Sequence, residues 1–196
     1  MRTNDAPPAA PTGTESGRVT AARRATAVAF LGTGFVFASW VSRLPQIRTE
    51  LQLSAADLGF VLLALAGGSL LALPAVAGLI PRLGTRTVVS VMAVVTGGAL
   101  TLIGVGYRFG TAPVVLGLFL LGFGLAAWNV AMNVQGALVE RHARRAIMSR
   151  FHAGFSVATV GSALLGTGLI AIGASVTVHL VAIAIAVAVT VVVAAR

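Results

Sequence analysis

Apolar residues in this chain come in long runs, and polar residues interrupt them at short intervals. A hydrocarbon core about 30 Å thick takes roughly 20 residues of helix. Six stretches approach or meet that length: residues 25–42, 58–80, 88–107, 112–138, 151–173 and 174–195. The pattern predicts an all-α, multi-pass membrane protein, a six-transmembrane-helix bundle over residues 23–196. Residues 1–22 are rich in Pro, Ala, Thr and Gly and lack apolar periodicity, so they read as a disordered cytoplasmic tail. A cleaved signal peptide is the rival reading of the first run, but that run is too long and apolar sequence returns five more times. The fourth span is long and polar at its far end, as if it projects from the bilayer. The last two spans abut at Gly173-Ala174-Ser175.

Composition agrees. The chain is 57% hydrophobic and 10% charged, with a mean hydropathy of +0.96, where a soluble domain carries about 25% charge. The formal charge of +9 comes from arginines confined to short turns, with no basic face interleaved with aromatics, so nucleic acid is a poor partner. There is no Cys, hence no disulfide and no thiolate metal site. No nucleophile–base pair, carboxylate pair or metal-ligand cluster is visible, so neither catalysis nor a cofactor is expected. The arginines also orient the chain. With the N-terminus inside, Arg2, Arg18, Arg23, Arg24, Arg82, Arg86, Arg141, Arg144, Arg145, Arg150 and Arg196 are cytoplasmic, and only Arg43, Arg48 and Arg108 are outside. Both termini then lie inside a cell (plasma or inner) membrane.

Candidate chemistry gathers between Trp128 and Thr159. Asn129, Asn133, Gly136 and Glu140 recur at i, i+4, i+7 and i+11, one stripe of a helix. His152, Ser156, Thr159 and Ala163 repeat the spacing beyond a turn holding four arginines. Polar faces in a membrane look toward protein or a water-filled cavity. Asn129 and Asn133, with amides able to donate and accept, are candidates for solute contact, as are Ser156 and Ser39. The alternative for the amides is a tie to a neighbouring helix. His152 and Glu140 are candidates for carrying a coupling proton, because histidine changes charge near neutral pH; the alternative is a hydrogen bond at the interface. Glu140 with Arg141, Arg144, Arg145 and Arg150 could also form a cytoplasmic ion-pair network, or the arginines could simply meet anionic headgroups. Arg43 continues the stripe Gly32, Val36, Ser39 of the first span, either to hold an anionic solute or to snorkel to water. His142 and His179 read as bystanders.

The turn Ala77-Gly78-Leu79-Ile80-Pro81-Arg82-Leu83-Gly84-Thr85-Arg86 resembles the signature between the second and third helices of the major facilitator superfamily, G-x-L-x-D-R-x-G-R-R. Leu79, Arg82, Gly84 and Arg86 match; Ala77 and Pro81 stand where Gly and Asp are usual. Trp40-Val41-Ser42-Arg43-Leu44-Pro45-Gln46-Ile47-Arg48, with Asn129 to Gly136 and Met148 to Ser156, resembles a bacterial branch related to the fucose–proton symporters. The resemblance implies a secondary transporter of a small solute, working by alternating access in the lipid bilayer and built from two six-helix halves, of which this chain supplies the N-terminal one. It also implies that Arg82, Gly84 and Arg86 form a conformational turn, and Arg141 and Arg145, from the ion-pair network above, are candidates for a second. The missing partner is a C-terminal half or a second copy. The end at Ala194-Ala195-Arg196, without a long central loop, reads as that of a fragment, and a non-transporting remnant or scaffold is the other reading. The acids that accompany proton coupling in the fucose symporters are absent from the first span.

Overall fold

The computed structural model describes residues 13–196, in five helices. They are α1 (Gly13–Glu50), α2 (Ala55–Gly106), α3 (Thr111–Ala143), α4 (Met148–Ala171) and α5 (Val176–Ala194), with a 3₁₀ turn over Tyr107–Phe109 before α3. All five are long and apolar enough to cross a membrane.

Five helices stand where the sequence pattern counts six spans, because α2 runs through both the second and the third. Its 52 residues would make a straight rod of about 78 Å. It is not straight. Gly84 adopts φ 77, ψ 155, a left-handed conformation open to glycine, and breaks the helix. Leu65 and Gly68 on one side of that break lie against Phe119 and Gly122 of α3, and Thr96 and Ile103 on the other side lie against Gly124 and Gly117. Both arms therefore flank the same two turns of α3, which a rod cannot do, and the chain folds back at Gly84. The start of α2 is set by a capping box: Asp57 N–H donates to Ser54 Oγ at 3.1 Å and Ser54 N–H to Asp57 Oδ2 at 3.1 Å.

The first helix is longer than its apolar run in both directions. It begins at Gly13, within the stretch read as a disordered tail, because good helix formers such as Ala21, Ala22, Arg23 and Arg24 extend an existing helix at little cost; residues 1–12 of that tail lie outside the described residues. At the other end it continues through Pro45 to Glu50, where the pattern stops at Ser42. Arg43 and Ile47 on either side of the proline are buried and hold those turns in place. The last two helices part at a Schellman turn. Gly173, at φ 70, donates its N–H to the Ile170 carbonyl at 3.0 Å, and Ala174 donates to the Leu169 carbonyl at 2.8 Å.

Packing puts α1 in the middle, against α3, α4 and α5. One apolar core gathers Phe30, Met92, Trp128, Met132 and Phe151 toward the Gly84 end of the bundle. A second gathers Trp40, Leu100, Ile103, Leu118, Leu121 and Leu180 toward the Glu50 end. Over half of the most apolar stretch of α1 is buried (56%), against 17% in α4. The bundle thus leaves α4, and the arm of α2 before Gly84, largely uncovered.

Candidate functional site

The stripe on α3 runs through the second half of that helix, from Asn129 to Glu140. Asn129 is exposed and Asn133 half-buried. Asn133 Nδ2 donates to the Asn129 carbonyl at 2.8 Å and to Asn129 Oδ1 at 2.9 Å. The two amides are therefore paired along their own helix, not tied to a neighbour. That leaves the Asn129 donor group and the Asn133 acceptor oxygen without a partner among the described residues.

The stripe on α4 is exposed as well. His152 meets the Phe30 ring edge-on, centroids 5.1 Å apart, and neither of its ring nitrogens is hydrogen-bonded to the described residues. Ser156 and Thr159 hydroxyls donate to the carbonyls one turn back, His152 at 3.1 Å and Phe155 at 2.8 Å. The α3 stripe meets the start of α4 at Gly136, where a Cβ would meet Met148 Sδ at 2.9 Å and the Phe151 ring at 3.5 Å. Glycine lets α4 begin directly against α3.

Other candidates are elsewhere. Ser39 is fully buried; its hydroxyl shares a 2.8 Å hydrogen bond with Ser162, which donates to the Phe35 carbonyl at 2.9 Å. It joins α1 to α4 and is walled off from the stripes, because the Gly32, Val36, Ser39 face turns into the bundle. Among the described residues Glu140 makes no ion pair with Arg141, Arg144, Arg145 or Arg150, the network that is one of the two readings of this turn. Its Oε2 accepts the N–H groups of Ile147 (2.7 Å) and Met148 (2.6 Å), capping the start of α4, where an anion meets otherwise unpaired donors. Arg82, Arg86, Arg141 and Arg145 are all exposed at the Gly84 end. Arg86 donates to the Arg196 carbonyl, and Thr85 donates to Gln135 Oε1, which ties the Gly84 bend to α3. A cavity of about 560 Å³ opens at this end, between Ala22, Ala25, Ala29, Val89, Met132 and Val191.

The polar cluster that sequence reasoning missed lies at the opposite end. Arg43 does not snorkel: it is fully buried, with Nε donating to His179 Nδ1 at 2.8 Å and Nη1 donating to Gln46 Oε1 at 2.6 Å and the Ala174 carbonyl at 3.1 Å. His179, read as a bystander, is its partner. The one sequence signal was that Arg43 lay in register with Ser39 on a single helical face.

Proteins similar to this chain include an uncharacterized MFS-type transporter of Yersinia pestis, 36% identical over 151 residues that cover 74% of this chain and 38% of that protein. An uncharacterized transporter of Sinorhizobium fredii is 32% identical over 138 residues, 70% of this chain and 36% of that protein. The chain spans less than two fifths of the length of these relatives. No family profile and no solved structure matches it. One of these relatives is named as a transporter of the major facilitator type and the other as a transporter. The spanning-length helices support a multi-pass membrane protein.

Proposed function

We propose that the chain is the N-terminal, six-span half of a major-facilitator transporter, from the branch related to fucose–proton symporters, and that it moves a small polar solute by alternating access. Counting the arms of α2 on either side of Gly84 as two spans gives the six. The arginine distribution argues for both termini in the cytoplasm of a bacterial cell, and so for the Gly84 end inside and the Glu50 end outside.

The observation that carries the reading is the amide pair of exposed Asn129 and half-buried Asn133, just past the middle of a membrane-length helix, with a donor group and an acceptor oxygen still unsatisfied. Each unsatisfied polar group in hydrocarbon costs several kcal/mol. Such a pair belongs against water, solute or a second protein half, and in this architecture the solute site lies between the halves near the midplane. Asn129 and Asn133 would then bind solute hydroxyls or amides, with the His152 imidazole of α4 as the other side chain free to take part, while the Ser156 hydroxyl stays bonded to its own helix. His152 is the residue we assign a coupling proton. Glu140 serves as the cap of α4, and Ser39 as a tie between α1 and α4. The turns with Arg82, Gly84 and Arg86 and with Arg141 and Arg145 would change partners as the halves rock.

A solute-panel uptake assay in proteoliposomes tests this, with the chain alone and joined to a C-terminal half. Uptake only by the joined form, strongly reduced in Asn129→Ala and His152→Ala, is the expected result. Uptake by the 196-residue chain alone would identify a transporting homodimer, and none by either form a membrane scaffold. Undiminished transport in both variants would refute the site.

A further inference from the structure

We infer that the cavity at the Gly84 end holds an acidic phospholipid, its phosphate at an arginine rim and part of one acyl chain between α1, α3 and α5. At about 560 Å³ the cavity falls within the range of small-molecule sites. One face of α1 forms a wall of it: Arg18, Ala22, Ala25 and Ala29 recur at i, i+4, i+7 and i+11 over about 16 Å. The deep end is apolar, since Ala29, Val89, Met132 and Val191 are all buried. The one hydroxyl in the lining, Thr26, already donates to the Ala22 carbonyl at 2.8 Å. Water there would face carbon on nearly every side, whereas hydrocarbon gives up nothing by entering.

The rim has the opposite character. Arg18, Arg86 and Arg196 are exposed there, and among the described residues no carboxylate side chain lines the cavity. The terminal carboxylate of the 196-residue chain offsets one of these three cations and leaves the other two. Arg86 uses one of its donors on the Arg196 carbonyl, and a guanidinium has several more and no acceptor. Gln135 lines the cavity as well; its amide oxygen accepts from Thr85, so its N–H groups are what it has left to offer. Donors and positive charge at the rim call for an anionic oxygen, and the apolar depth calls for a hydrocarbon body joined to it. An acidic phospholipid supplies both where helices end at the bilayer surface, and the planar guanidinium fork matches phosphate. Neither Asn129 nor Asn133 lines this cavity, so the inference is independent of the transport reading and of which way the chain is oriented.

Fluorescence of Trp128 tests the site. A Cβ added to Gly32 would lie 3.1 Å from Val191 and 3.3 Å from Trp128, so this indole stands behind the cavity wall, and it is fully buried from bulk lipid. The 196-residue chain with Trp40→Phe is reconstituted in phosphatidylcholine vesicles carrying a small fraction of either phosphatidylglycerol or phosphatidylcholine with brominated acyl chains. Brominated phosphatidylglycerol is expected to quench Trp128 saturably, at a several-fold lower fraction than brominated phosphatidylcholine. Arg18→Gln with Arg86→Gln should abolish that preference. Ala25→Leu fills the cavity without changing its charge and should abolish the quenching itself. Equal quenching by the two lipids, or undiminished quenching in Ala25→Leu, overturns the inference. So does relief of quenching by inorganic phosphate but not by chloride at the same ionic strength, which would make this a site for a free anion. Should Trp40→Phe or Ala25→Leu fail to fold, native mass spectrometry of the unaltered chain released from mixed vesicles decides. Phosphatidylglycerol retained beyond its share of the vesicle lipid supports the site, and retention in proportion overturns it.

Discussion

Gly122→Ala tests the fold-back of α2 directly. A methyl at Gly122 would land on the Leu65 carbonyl oxygen, with the Leu65 carbonyl carbon at 2.8 Å and Cα at 3.0 Å. The obstacles are backbone atoms of a helix, so no rotamer change relieves them. Carbon atoms rest at about 3.5–4.0 Å, which requires the α2 arm and α3 to separate by roughly 1 Å. Overpacking of this kind costs about 1–3 kcal/mol. Separation also weakens the Cα–H···O interactions between the two backbones, at a cost of about 0.5–1 kcal/mol each. Against these stands the intrinsic gain of Ala over Gly in a helix, about 1 kcal/mol. The net is a destabilisation on the order of 1–2 kcal/mol. Gly161→Ala is the control: nothing lies within 4 Å of a Cβ there, so only the propensity gain remains. Unfolding in mixed micelles by increasing SDS, with the buried Trp128 of α3 as the fluorescent probe, measures both. Gly122→Ala should unfold at lower SDS than the unaltered chain, and Gly161→Ala at the same or higher. Equal stability of Gly122→Ala and the unaltered chain would mean that α2 does not press its backbone on α3 as described.

Glu140→Ala removes an acceptor for two backbone donors and should cost about 1 kcal/mol, as helix caps do. Hydrogen exchange should quicken at residues 147 and 148 in particular, while Glu140→Gln should recover part of the loss. Ser39→Ala and Ser162→Ala in a double-mutant cycle should show a coupling of about 0.6 kcal/mol, the usual size for an interhelical hydrogen bond in a membrane protein; no coupling would place Ser39 outside that contact. The chain has no Cys, so single-cysteine reporters are clean. Thr3→Cys should react with an impermeant maleimide only from the cytoplasmic side and Gln52→Cys only from the opposite side, and the reverse would overturn the orientation.

Hydropathy marked α3, α4 and α5 closely, since a lipid-length apolar run between polar turns leaves a helix few choices: 112–138, 151–173 and 174–195 against Thr111–Ala143, Met148–Ala171 and Val176–Ala194. It was blind to the ends of α1, because a helix that continues past the lipid edge is built there from ordinary polar residues. Gly84 was legible as a turn in a signature, but not as the pivot of one long element. Helical spacing told which residues share a face and could not tell what that face meets. That is why Ser39 and Arg43, in register with each other, read as open to the cavity or the outer mouth and prove buried against Ser162 and His179. The role of Glu140 depends on where the chain turns seven residues later, information that no local pattern holds.

Exposure by itself does not separate a face meant for lipid from one meant for a second protein half; the satisfaction of its polar atoms does. Around α4, at about 100° per residue, three strips follow one another. Phe151, Ala158, Ser162 and Gly166 are buried in the bundle. Next come His152, Ser156, Thr159, Ala163 and Thr167, and then the apolar strip of Val157, Val160 and Leu164. Lipid suits the last strip. The three hydroxyls of the middle strip bond to carbonyls of their own helix, Thr167 to Ala163 at 3.0 Å like the two before it, so acyl chains can cover them without loss. The imidazole of His152 and the unpaired half of the Asn129–Asn133 amides have no such recourse. The case for a solute-lined cavity therefore rests on three side chains, not on the whole polar stripe, and substitution of Ser156 or Thr159 by Ala should leave uptake largely intact where Asn129→Ala does not. Equal loss from all of them would mean that the hydroxyls leave their own helix when solute binds.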